Sequence, residues 1–186
     1  MQFFISDLHF GHKNCLEFDN RPFDDIESHD KYIIDKWNSL VTDNDTVWIL
    51  GDVSWYSVQK TLEILKTLKG KKCLIVGNHD KKLLENTEIR NAFEEIADYK
   101  EIYLDSKKGI VLCHYPIPCY NKHCYGWYHL YGHVHNSSEW DLMNETQQKI
   151  RALGTKCDMY NVGCMLNYMA YTPRTLEEIL KANNAI

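Results

Sequence analysis

The amino-acid sequence predicts an α/β fold whose chemistry gathers on the loops at one edge of a sheet. Three observations carry that reading. Short apolar runs of strand length alternate with stretches of helical periodicity. Five of those runs are followed at once by a histidine, aspartate or asparagine. In an open α/β sheet the C-terminal ends of parallel strands collect at one edge, so residues over a hundred positions apart can converge there.

Taken in order, Phe3-Phe4-Ile5 is the first strand, with Asp7 and His9 just beyond it. A helix follows over Asp25–Leu40. Thr46 to Leu50 is the second strand and ends in Gly51-Asp52. The helix predicted over Ser57–Leu68 stops at Gly70, a cap beyond its end. Cys73 to Val76 leads into Gly77-Asn78-His79-Asp80, and Ile110 to Cys113 leads into His114. His129 to Tyr131 precedes Gly132, His133 and His135. Thr175 and Glu178 form a capping box that opens a last helix, reaching about Asn183.

Composition bounds the rest. The 186 residues read as one domain, 1–186, with 44% hydrophobic and 25% charged residues, a globular balance. No apolar run approaches the roughly 20 residues of a membrane span. Asp7 falls where a signal peptide would still need its apolar stretch, so a cytoplasmic location is expected. The net charge of −5, with 17 lysines and only four arginines, argues against long nucleic acid as a partner. Seven cysteines, an odd number without framework spacing, read as free thiols in a reducing compartment. Cys119, His123, Cys124 and His129 could make a small zinc site, although no CxxC pair anchors it. Oligomeric state stays open, a homodimer included. The signatures of nucleotide motors, dehydrogenases, serine hydrolases and zincins are all missing.

The residues after the strands form a specific donor set: Asp7, His9, Asp52, Asn78, His114, His133 and His135. Oxygen and imidazole donors without thiolate suit Mn²⁺, Fe, Zn²⁺ or Ni²⁺ rather than Ca²⁺. The set is too large for one ion. Two ions sharing a carboxylate would use it, at the ~3.5–4 Å spacing of two-metal sites that serve in-line displacement at phosphorus. These residues therefore indicate a hydrolase. Singly, each has a plainer reading, with Gly51-Asp52 as a turn and His114 as a core histidine. His12, His29, His123 and His129 lie outside the pattern and read as structural.

DLH at 7–9, GD at 51–52, GNHD at 77–80, His114 after its strand and GHVH at 132–135 resemble the calcineurin-like metallophosphoesterase superfamily. DLHFGHKN, NRPF and the late NVG at 161–163 resemble its small bacterial and phage-type branch. The resemblance implies two mixed β-sheets packed as a sandwich flanked by helices, a four-layer αββα arrangement with metals at the sheet edge. It implies two divalent transition-metal ions per chain, Mn²⁺ favoured. Asp7, His9 and His135 would hold the first and Asn78, His114 and His133 the second, with Asp52 bridging. A bridging hydroxide would attack phosphorus, and His79 would be the catalytic histidine that donates to a phosphate oxygen or the leaving group. Many relatives read GDxxD, the second Asp orienting that histidine. Here the position is Trp55, which leaves open what holds His79.

A phosphodiester, including a nucleotide, is expected before a phosphomonoester. Arg21 is the guanidinium nearest the DLH block for a phosphate oxygen. Trp55 could wall the pocket or pack beneath it, and Tyr115 begins a tract of six aromatics over residues 115–131. That tract reads either as a lip over the metals or, the reading favoured here, as a crossover packing its own cluster. Two rivals stand beside the hydrolase. One is a protein-binding scaffold of the same fold without catalysis, which tends to lose the histidine kept here as His79. The other is a nuclease, which needs a basic track.

Overall fold

Strands covered on both faces should bury nearly every residue, and three strands of the first sheet do. In β1 (Gln2–Ile5), β2 (Thr46–Ile49) and β3 (Lys71–Ile75) the last three residues of each are buried. The computed structural model describes residues 1–184. With β4 (Glu95–Ala97) these strands form a sheet in the order β1-β2-β3-β4. A second sheet follows the order β5 (Tyr99–Tyr103), β6 (Gly109–Cys113), β7 (Tyr128–Tyr131), β8 (Asp158–Asn161). The second sheet is mixed, β5 running antiparallel to β6 while β6, β7 and β8 are parallel. The first sheet, also expected mixed, is parallel at all three pairings.

The sheets share one core. Ile5, Ile49 and Ile75 of the first pack in the same cluster as Ile110, Leu112 and Leu130 of the second. Because successive side chains alternate faces, Val111, Tyr131 and Met159 point the other way. They build a second cluster with Tyr120, Trp127 and Ile150.

Helices α1 (Asn14–Phe18), α2 (Ile26–Leu40), α3 (Val58–Thr67), α4 (Thr87–Asn91), α5 (Ser138–Ala152) and α6 (Leu176–Ala182) flank the sheets. The Asp25 carboxylate caps α2 by accepting from Ser28 N at 2.7 Å, and Thr175 with Glu178 forms the expected capping box of α6. Gly70 is not the cap of α3. That helix ends at Thr67 with an extended Leu68. Gly70 instead turns the chain into β3 at φ +80°, where a Cβ would lie 2.8 Å from Val41 Cγ1. Among the described residues no helix is long and apolar enough to cross a membrane.

Candidate metal centre

β1, β2 and β3 of one sheet and β6 and β7 of the other end on a common rim, and their following loops supply the donors. Ordinary loop backbone would not aim the side chains inward. Asp7, His9, Asp52, His133 and His135 all have positive φ, between 49° and 71°. Left-handed backbone at non-glycine residues costs on the order of 1 kcal/mol or more each, and such strain concentrates at functional sites. Tertiary bonds hold it in place. Asp7 N donates to Gly51 O at 3.1 Å, His9 N to Asp52 O at 3.0 Å, and Gly132 N to His114 O at 2.9 Å.

The glycines before Asp52, Asn78 and His133 are required by close approach. A Cβ on Gly51 would lie 2.3 Å from His114 Nδ1, one on Gly77 2.3 Å from Asp52 Oδ1, and one on Gly132 2.6 Å from Asp7 Oδ2. The Gly-Asp, Gly-Asn and Gly-His pairs are therefore close-packing devices rather than ordinary turns.

The donor atoms converge. Asp7, His9 and His135 offer ligand atoms all within 4.8 Å of one another, and so do Asp7, Asp52 and His114. His9 Nε2 lies 3.1 Å from His135 Nε2, and Asp7 Oδ1 is 3.7 Å from His135 Nε2. Asp52 faces both sides, with Oδ2 3.8 Å from His9 Nε2 and Oδ1 3.7 Å from His114 Nε2. Asn78 Oδ1 sits 2.9 Å from His114 Nε2 and 3.0 Å from His133 Nδ1.

A second layer fixes the rings. His114 donates from Nδ1 to Leu50 O at 2.7 Å, so its Nε2 presents a lone pair inward. That lone pair meets Asn78 Oδ1, another acceptor, and a cation against both would relieve the clash. His135 donates from Nδ1 to the Asp19 carboxylate at 2.8 Å, the arrangement that orients metal-binding imidazoles. Arg21 then clamps Asp19 through Nε at 2.9 Å and Nη2 at 2.8 Å. Asn161, of the NVG segment, donates to His135 O at 2.9 Å.

Burial pushes the Asp52 carboxyl up to about 7, with neighbouring Asp7 and Asp80 adding to the rise and His114 opposing it. A bound cation would return it to the ionised state. Burial drives His9 well below its ordinary range, helped by nearby Arg21 and His135, and its Nδ1 is a buried atom without a partner. Burial also depresses His135, but the Asp19 bond and nearby Asp7 carry it above the ordinary value. The donor chemistry, glycine cradles and buried, mutually facing acceptors all fit divalent ions.

Arg21 does not face the site. Its guanidinium is buried, donating to Asp19, Leu8 O and Asp7 O and meeting His29 Nε2 at 2.9 Å. It braces the Asp7 loop from behind, so the expected phosphate contact is replaced by a structural one. Asp19 and Asp80 escaped the sequence reading as supports. Asp80 accepts from Asp52 N at 2.9 Å, Val53 N at 2.9 Å and Gly77 N at 2.8 Å, stapling the GD loop to the GNHD loop. Its only signal in the sequence was the acidic residue closing GNHD.

His79 stands at the mouth, its side chain 48% exposed and Nε2 4.0 Å from Asp52 Oδ2. Trp55 packs on it with ring centroids 4.3 Å apart. Tyr115 covers the other side, 5.0 Å from His114 and 4.7 Å from His133. Beyond Tyr115 the aromatic tract packs its own cluster, with Tyr120, Trp127 and Tyr131 buried. His129 belongs there too. It donates to Val111 O and accepts from Ile117 N, both at 3.1 Å, so neither nitrogen is left for a zinc ion with Cys119 and Cys124.

The family model for calcineurin-like phosphoesterases matches residues 3–185. An uncharacterised protein of Methanocaldococcus jannaschii is 33% identical over 151 residues, 80% of this chain and 78% of that protein. The gene 66 protein of Mycobacterium phage L5 is 46% identical over 80 residues, 41% of this chain and 38% of the phage protein. Among solved structures, a protein of unknown function from Aquifex aeolicus superposes with a TM-score of 0.73 at 28% identity, covering 98% of each chain.

Proposed function

This chain belongs to the calcineurin-like phosphoesterase family, and from that premise we propose that it hydrolyses small phosphate esters, diesters before monoesters, with two divalent transition-metal ions, Mn²⁺ favoured. The observation that carries the reading is the pose of Asp52, one carboxylate oxygen toward His9 and the other toward His114. Asp7, His9 and His135 would hold one ion and Asn78, His114 and His133 the other, with Asp52 between them. When bound, the ions supply positive charge that polarises the phosphate and acidifies an attacking water.

The chain's own groups do the rest. Asp19 and Leu50 O accept the Nδ1–H of His135 and His114, which fixes the tautomer and ring orientation that turn each Nε2 inward. His79 is half-exposed beside Asn78, where it can hand a proton to the departing oxygen. Burial keeps this imidazole below its ordinary pKa. Tyr115 and Trp55 wall the mouth on opposite flanks, and a cavity of about 900 Å³ runs from His79 past Trp55 toward Lys82 and Asn86. That volume accepts an ester with a sizeable leaving group.

The test is hydrolysis of bis-p-nitrophenyl phosphate against p-nitrophenyl phosphate by metal-free protein reloaded separately with Mn²⁺, Ni²⁺, Zn²⁺ or Mg²⁺. Metal-dependent turnover that His79→Ala lowers by roughly 10²–10⁴-fold supports the enzyme. No turnover with any ion, while two metals are bound, would assign the chain to the non-catalytic scaffold.

A further inference from the structure

His79 has no side-chain hydrogen bond among the described residues. Its recorded bond is the backbone N–H donated to Asp52 Oδ1 at 3.0 Å. The nearest carboxylate oxygen, Asp52 Oδ2, is 4.0 Å from Nε2, and the Asp80 carboxylate is taken by three backbone N–H groups. A half-exposed imidazole without a partner samples several rotamers, which is poor geometry for a proton donor.

Packing supplies what hydrogen bonding does not. Trp55 contacts His79 at a centroid separation of 4.3 Å and 45°. The same indole stacks on His12 at 4.1 Å with an interplanar angle of 7° and touches His9 at 4.6 Å. The indole is itself anchored. Trp55 N donates to Phe10 O at 2.8 Å, and Ser54 bridges to Phe10. Gly11, at φ +78°, leaves room for the Tyr56 ring, whose atoms would lie 2.7 Å from a Cβ there. Residues 54–56 are thus sewn to the loop 7–12 that carries His9.

We propose that Trp55 is the positioning residue of His79, with His12 as its backing. The aromatic contact holds the imidazole over the mouth of the metal centre and does the work that a carboxylate at this place does in relatives reading GDxxD. This rests on the phosphoesterase reading above, with His79 as proton donor. His12, placed outside the functional pattern by sequence, becomes part of that support.

The experiment compares Trp55→Ala, Trp55→Phe, His12→Ala and His79→Ala on two diesters sharing one phosphoryl group, the p-nitrophenyl and phenyl esters of thymidine 5′-phosphate. Phenoxide needs the proton far more than p-nitrophenoxide does. Metal content is measured on each variant. The expected result is a kcat loss for Trp55→Ala at least ten-fold larger on the phenyl ester, with KM within about three-fold and two metals retained. Trp55→Phe restores most of the loss, and His12→Ala shows a smaller loss of the same selectivity. Adding Trp55→Ala to His79→Ala costs nothing further. Equal losses on both esters, or losses that add to His79→Ala, would overturn the proposal. Should Trp55→Ala not fold, Trp55→Phe and His12→Ala decide by the same ratio. If the wild-type protein turns over neither ester with two ions bound, the phosphoesterase reading fails and the proposal falls with it.

Discussion

The Asp19 carboxylate holds His135 from behind: the imidazole donates from Nδ1 to Oδ1 at 2.8 Å and Oδ2 at 2.9 Å, leaving Nε2 turned toward His9 and Asp7. Burial would raise the Asp19 carboxyl, but the His135 bond and Arg21 hold it below the usual range. Outer carboxylates of this kind are worth about 10–100-fold in metal affinity. Asp19→Ala should weaken Mn²⁺ binding by that factor in titration calorimetry, and Asp19→Asn by less. An unchanged affinity in both would remove Asp19 from the support.

Asp52 spans the two halves of the donor set, so its loss should cost both ions rather than one. Asp52→Ala should purify with less than one metal per chain by elemental analysis, whereas His79→Ala keeps two. A stoichiometry of two in Asp52→Ala would sink the bridging assignment.

Gly77 shows how little room the site has. Its missing Cβ would meet Asp52 Oδ1 at 2.3 Å, Asp52 N at 2.7 Å and Gly51 Cα at 3.0 Å, two of them backbone atoms that cannot swing away. Gly77→Ala should destabilise by about 1–3 kcal/mol, the range for overpacking, and displace Asp52. A lower urea midpoint together with lost metal is expected. A variant that melts and binds metal like wild type would show that the loops yield.

His129 gives a pH dependence of stability. Burial brings its imidazole down to about 4, against opposing bonds to Val111 O and Tyr115 O. Between pH 6.5 and 4 the unfolded chain binds a proton there and the folded chain does not, so stability falls as pH drops through that window. The loss for this one group is on the order of 3 kcal/mol by pH 4. NMR of the metal-free protein should show the His129 ring neutral down to about pH 4. A titration near 6.5 would contradict its burial.

The predicted strands were legible because they are covered on both faces and read as continuous apolar runs, as in Phe3-Phe4-Ile5 and Ile110 to Cys113. The three strands not predicted, β4, β5 and β8, are all sheet edges. β4 and β5 bury no residue fully and carry charged side chains, whereas β8 (DMYN) buries its last three residues but has polar Asp158 and Asn161 at its ends in place of a continuous apolar run. α5 was also missed, since Gln147 is its sole buried residue and its apolar stripe is thin. At the rim, the donor residues were readable by type and position, because each follows a strand. Asp19, Asp80 and Trp55 were not readable as supports. Their parts depend on contacts across the fold, to residues 116, 28 and 24 positions away respectively. The same reason defeated the reading of Arg21, whose partners could not be known before Asp19 and the Asp7 carbonyl were placed.

The donors come from both sides of the sandwich, Asp7, His9, Asp52 and Asn78 from loops of the first sheet and His114, His133 and His135 from loops of the second. Any ion seated among them is a further cross-link between two layers already joined there by apolar contact and by hydrogen bonds such as His114 to Leu50 O and Ser6 N to Val162 O. Mass action then makes the melting temperature a function of free metal: an excess of 100 times the dissociation constant adds about 2.7 kcal/mol to stability. The protein would register metal scarcity twice, first as lost turnover and then as a fold that opens at lower temperature, with the rim parting before the shared core.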